Sequence, residues 1–218
     1  MEVGVFDRTE TSDKIISGSM YNMVIGATLL WGFALNWLMV KNIPAEAIRS
    51  VSPLVFFGGY FASCFFGIYL FRKSDNPLVS FIGYNFIVVP FGLIINVVVS
   101  QYNPEIVLEA VRVTGMVTFV MMLLGSMYPA FFQRIIGGLF IALLCVIVVE
   151  LIEIFIFKTH HGVLDWAVAL IFCGYIGYDW ARANAIPKTY DNAIDSAAAL
   201  YMDIINLFLR ILRILGRK

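Results

Sequence analysis

Seven apolar stretches, each of roughly the 20 residues needed to cross a bilayer, follow one another along the chain with short connections between them. They run over about 20–40, 51–71, 78–100, 106–127, 135–157, 163–182 and 197–216. The connections read KNIPAEAIRS, RKSDNP, QYNPE, YPAFFQR, KTHHG and ANAIPKTYDNAIDS. In hydrocarbon every backbone N–H and C=O must be bonded within the protein, which confines such a chain to a helical bundle. An outer-membrane barrel would show alternating ten-residue segments instead, and the sequence has none. Only 14% of residues are charged, against about 25% in ordinary soluble domains. The expected fold is therefore an all-α membrane protein of seven transmembrane helices. Residues 1–19 are expected as a cytoplasmic N-terminal tail and residues 20–218 as one transmembrane domain, since no linker or composition shift marks a second. The opening MEVGVFDRTETSDKIISGS lacks a cleavable-signal pattern, so the first stretch is expected to remain as a span. Net charge is zero, so nucleic acid is not implied as a partner; membrane lipid is.

Lysine and arginine counts set an orientation. The N-terminal tail, the second, fourth and sixth loops and the adjoining helix end hold Arg8, Lys14, Arg72, Lys73, Arg134, Arg182 and Lys188. The remaining loops hold Lys41, Arg49 and Lys158, so the N-terminus is expected in the cytoplasm. Seven crossings would then leave Arg210, Arg213, Arg217 and Lys218 outside, against that tendency. Either the bundle engages these arginines or the last segment turns back; its apolar length favours a full crossing.

The last stretch, AAALYMDIINLFLRILRILG, carries Asp203 in its first half. A carboxylate at that depth costs about 2.5–3.5 kcal/mol on insertion scales, so such an acid faces a cavity or a partner. A partner is available in Asp179, 24 residues earlier, in FCGYIGYDWARA near the end of the preceding span. Consecutive spans joined by a short polar loop pack as an antiparallel hairpin, which could bring the two acids together. Two carboxylates in contact do not both ionise readily, so the pair is expected to share one proton and respond to pH. Asp203, Asn206, Arg210 and Arg213 also recur at spacings of three, four and three, forming one polar stripe. A polar stripe on an apolar helix implies that protein rather than lipid surrounds it, which makes the last helix the central one.

The other ionisable groups carry plainer readings. Glu150 and Glu153 share a face near the outer end of the fifth span, either reaching interfacial water or forming a cation vestibule. Asp165 opens the sixth span, where a carboxylate complements the helix N-terminus. Glu109 and Arg112 are spaced to pair within the fourth span. His160 and His161 are adjacent and cannot both face one metal, so no metal site is expected. Cys64, Cys145 and Cys173 fall mid-span and read as small hydrophobes. Enzyme readings fit poorly: no histidine lies inside a span for a serine protease, and the last stretch has no lysine for a retinal Schiff base. An intramembrane aspartyl protease would place Gly-x-Gly before its second aspartate and a Pro-Ala-Leu after it, whereas Asp203 follows Tyr-Met and no Pro-Ala-Leu succeeds it. No cofactor is expected.

The segment from GYDWARA through ALYMDIINLFLRILRILG resembles the C-terminal signature of the Bax-inhibitor-like, or transmembrane Bax inhibitor motif, family. Tyr178 and Asp179 match its Tyr-Asp in the sixth helix. Leu200, Tyr201, Asp203, Asn206, Leu207 and Phe208 match its Leu-Tyr-x-Asp-x-x-Asn-Leu-Phe in the seventh. The fourth span's LEAVRVTGMVTF resembles the corresponding helix more weakly. The resemblance implies six helices wrapped around a central seventh, and a calcium-permeable leak gated by protonation of the aspartate pair, with calcium as the transported ion. It also implies a latch on the sixth-helix aspartate from a basic residue at the inner end of the second helix, a place that Arg72 takes here. Bacterial members lie in the plasma membrane, and the short tails fit that group. Two other readings stay open: a proton-coupled cation exchanger using the same pair, and a membrane scaffold for partner proteins, for which the short loops leave little surface. The bundle is expected to be complete as a monomer.

Overall fold

A computed structural model describes residues 14–158 and 162–217. Helix α1 (Gly18–Asn42) and the short α2 (Ala45–Arg49) lead into α3 (Pro53–Lys73), α4 (Pro77–Val99), α5 (Pro104–Met127) and α6 (Pro129–Ile152). A π-helical turn, Glu153–Phe157, extends α6, and α7 (Gly162–Ala185) and α8 (Tyr190–Leu215) complete the chain. Helices α3 to α6 each open on a proline, whose missing N–H and fixed φ suit the first helical position. Ser52 and Asn76, just before two of these prolines, accept hydrogen bonds from the Val55 and Leu78 amides as caps.

The helix bounds follow the apolar stretches, with three differences, the first being that α6 starts at Pro129, so most of the expected connection YPAFFQR is helical. The first loop folds in part as α2. The last helix begins at Tyr190 rather than near Ala197, because Thr189 caps it by accepting from the Asn192 amide at 3.1 Å. Among the described residues six helices, α1 and α3 to α7, are long and apolar enough to span a bilayer. Helix α8 is of similar length, about 39 Å at 1.5 Å per residue, but Asp191, Asp195, Asp203, Arg210 and Arg213 interrupt its apolar character. It is one unbroken helix, and it is buried through Ala197, Ala198, Leu200, Tyr201, Leu207 and Leu212. The apolar spans do the reverse, exposing Leu54, Phe65, Phe119, Phe140 and Leu170. That inversion suits a lipid solvent, and the most polar helix is the one that protein covers.

The chain forms two compact units, one of residues 1–101 with 186–201, the other of 102–185 with 202–218. In the first, α1, α2 and α3 pack on α4. Pro90 interrupts α4 and supplies no N–H for the Phe86 carbonyl one turn back; Ser63 of α3 donates its hydroxyl to that carbonyl at 2.7 Å. Tyr201, on the first half of α8, is fully buried against the Tyr84 ring and accepts a hydrogen bond from the Asn36 amide. Tyr21 and Ser196 share a hydrogen bond, and Ser80 donates to Asp191 at 2.6 Å.

In the second unit, α5 and α6 pack on α7. A side chain at Gly125 would begin 2.5 Å from the Gly177 carbonyl oxygen, so the α5–α7 crossing depends on bare backbone there. Gly125→Leu is expected to lower stability by about 1–3 kcal/mol through overpacking. Gly115→Leu on the same helix meets nothing within 4 Å and serves as the control. Thermal melts of the two variants in detergent check this; equal losses would show that the crossing is not the cause.

Candidate functional site

Asp179 and Asp203 meet within the second unit. Asp179 stands near the C-terminal end of α7 and Asp203 in the middle of α8, and their carboxyls are hydrogen-bonded to each other. Such a bond needs a proton on one of the two carboxyls, because an ionised carboxylate only accepts. Asp203 is buried, and its Oδ2 has no hydrogen-bond partner among the described residues. Two side chains of α7 that the sequence reading did not place at the site lie beside the pair. Arg182, one turn beyond Asp179, acts on its charge, and Tyr175, one turn before it, lies close to both acids. Both follow from helical spacing around Asp179.

The other end of the same helix pair is held by charge. Asp165, in the first turn of α7, is completely buried and faces three arginines of the α8 end. Arg210 donates to its Oδ1 at 3.0 Å, Arg217 reaches Oδ2 at 2.6 Å, and Arg213 stands 3.7 Å from Oδ1. Arg210 also grips both oxygens of Glu150 on α6. Asp165 is thus more than a helix-start carboxylate. Its register with Arg217, together with that of Asp179 with Asp203, makes α7 and this half of α8 antiparallel, as the hairpin argument expects.

The predicted stripe divides among different tasks. Asp203 pairs with Asp179, Arg210 and Arg213 face Asp165, and Asn206 turns back to donate to the Met202 carbonyl. Glu153 is buried in the π-helical turn, and its neighbour in the sequence argument, Glu150, is engaged by Arg210. Glu109 and Arg112 are exposed on α5. The Arg72 side chain, His160, His161 and the tail through Asp13 lie outside the described residues. Among the described residues no three of His, Cys, Asp and Glu gather where they could hold a metal ion.

Comparison with known proteins points one way. A family model described as inhibitor of apoptosis-promoting Bax1 matches residues 15–218. A protein of Helicobacter pylori (strain ATCC 700392 / 26695) is 33% identical over 211 residues, covering 95% of this chain and 85% of that one. Bax inhibitor 1 of Schizosaccharomyces pombe is 35% identical over 130 residues, 57% of this chain and 47% of its own length. A membrane protein of Vibrio cholerae is 32% identical over 127 residues, 57% of this chain and 56% of its own. The matched region thus spans about half of each of the latter two.

Proposed function

Since the chain belongs to the family of inhibitors of apoptosis-promoting Bax1, we propose that it forms a calcium-permeable leak across a membrane, with the Asp179–Asp203 pair making the flux respond to pH. The observation that carries this reading is the direct carboxyl–carboxyl hydrogen bond between α7 and α8. While the proton is present, it ties the two helices together. Once it leaves, two like charges face each other; at about 4 Å and an effective dielectric constant of 20 their repulsion is about 4 kcal/mol. That is enough to shift an equilibrium between two packings that differ by a few kcal/mol. The proposed setting is a bacterial plasma membrane, with the N-terminus in the cytoplasm and the protein active as a monomer.

Reconstitution into liposomes loaded with a calcium dye, over a series of pH values, tests conduction and its control together. Calcium entry above that of empty vesicles, changing with pH and needing no opposing proton gradient, is the expected result. Entry only when protons are driven the other way would replace the leak with proton-coupled exchange at the same pair. No entry at any pH would end the calcium reading.

A further inference from the structure

At one end of the second unit, a cavity of about 460 Å³ opens among the connection before α5, the end of α6 with its π-helical turn, and the end of α8. Arg210, Arg213 and Arg217 line it together with Tyr102, Glu150 and Ile154. Asp165 lies against the same guanidinium groups, so three cations meet two carboxylates there. Arg210 spends its donors on Glu150 and Asp165. The other two do not: Arg217 commits one nitrogen to Asp165, and Arg213 comes no closer than 3.7 Å. Both are more than one-third exposed, so most of their N–H donors are open to a ligand. Small residues make the room. A side chain at Gly216 would collide with Tyr102, and one at Gly162 with the Arg217 guanidinium.

The surroundings indicate what kind of anion reaches this place. Helix ends gather here, which puts the cavity at the level of the bilayer interface. Trp166, one turn into α7, is exposed as an interfacial anchor would be. Ile154, Phe155, Phe157 and Val163 are exposed beside it and present an apolar surface to acyl chains. We infer that this arginine-lined cavity binds a phosphate group, as carried by an anionic phospholipid headgroup or by free inorganic phosphate. A phosphate offers several acceptor oxygens, and guanidinium forks match them in pairs. Basic pockets between transmembrane helices hold lipid headgroups by the same chemistry. This site is separate from the aspartate pair and does not depend on the calcium reading.

The test uses the purified full-length chain in mild detergent. Native mass spectrometry with added phosphatidylglycerol or phosphatidylcholine forms one arm, and thermal melts with added inorganic phosphate the other. Wild type is expected to retain phosphatidylglycerol in preference to phosphatidylcholine. Arg213→Gln and Arg217→Gln are each expected to weaken retention roughly tenfold, the scale of one charge-assisted hydrogen bond, and Arg217→Lys to restore part of it. Circular dichroism confirms that each variant is folded; Arg217 lies beyond the last residue of α8. A lipid preference lost with the arginines supports the site with a headgroup as its source. A phosphate-induced stabilisation lost with the arginines, without lipid preference, supports it with free phosphate as the source. Responses to both ligands that are unchanged in folded Arg213→Gln and Arg217→Gln overturn it.

Discussion

Asparagine in place of Asp179 or Asp203 is expected to flatten the pH dependence of calcium flux, with the double replacement adding little to either single one. Asparagine keeps the size of the side chain and a hydrogen bond across the contact, so the helices stay in register while the shared proton is gone. If the two acids act as one titrating unit, removing either removes the whole response. Sites in direct contact depart from additivity by about 0.5–3 kcal/mol, so the effect of the double variant should fall well short of the two single effects combined. Liposome flux measured for wild type, both single variants and the double variant from acid to neutral pH checks this. A full wild-type profile in both single variants would place the sensor elsewhere. Independent, additive losses would mean that the carboxyls titrate separately despite their hydrogen bond.

The largest loss of stability is expected from Asp165→Ala. That carboxylate is completely buried and stands among Arg210, Arg213 and Arg217. Its removal leaves Arg210 with Glu150 alone and Arg213 and Arg217 without their acid. Stranding a buried charge costs about 3–5 kcal/mol, an upper bound here because Arg213 and Arg217 are more than one-third exposed. For a chain of this size that upper bound corresponds to a fall in melting temperature of at most roughly 6–20 °C. Asp165→Ala combined with Arg217→Gln should recover part of that fall, because the second change takes away one of the stranded cations. Melts of both proteins in the same detergent provide the measurement. A single variant within about 2 °C of wild type would mean that water and lipid screen the cluster already.

Much of this architecture is legible in the chain because bilayer thickness acts as a ruler. The apolar stretches give the six long spans within a few residues at most ends. The aspartate pair is legible for a similar reason: a short loop after Asp179 and half a helix before Asp203 return the chain to the same depth. Ser52 and Asn76 cap the helices that open at Pro53 and Pro77, and Pro104 opens α5 without a side-chain cap from Asn103, start signals that the reading of apolar length did not use. Asp165 could be read only by half. Its place in a first turn is local, but its three partners lie at the other end of the next helix, and no spacing rule connects them. The early start of α8 was hidden by its polarity. Asp191, Asn192 and Asp195 look like loop residues until Ser80 and Tyr21 supply the bonds that bury this turn. Ser63 is similarly silent, since its use is to satisfy a carbonyl that a proline on another helix leaves open.

Taken together, the two ends of the α7–α8 pair make a lever. At one end, Asp165 and its arginines form a pin with several charges on each side. At the other, a single proton between Asp179 and Asp203 is the catch. Fourteen residues of α7 separate pin from catch, an arm of about 21 Å at 1.5 Å per residue. A tilt of only about 5° around the pin would carry the catch through about 2 Å on an arm of that length, more than a hydrogen bond tolerates. Each pH unit changes the work of protonating the catch by about 1.4 kcal/mol. A small rotation and a small chemical potential are thus matched across one pair of helices, with the stiff joint in the first turn of α7 and the proposed sensor near its other end.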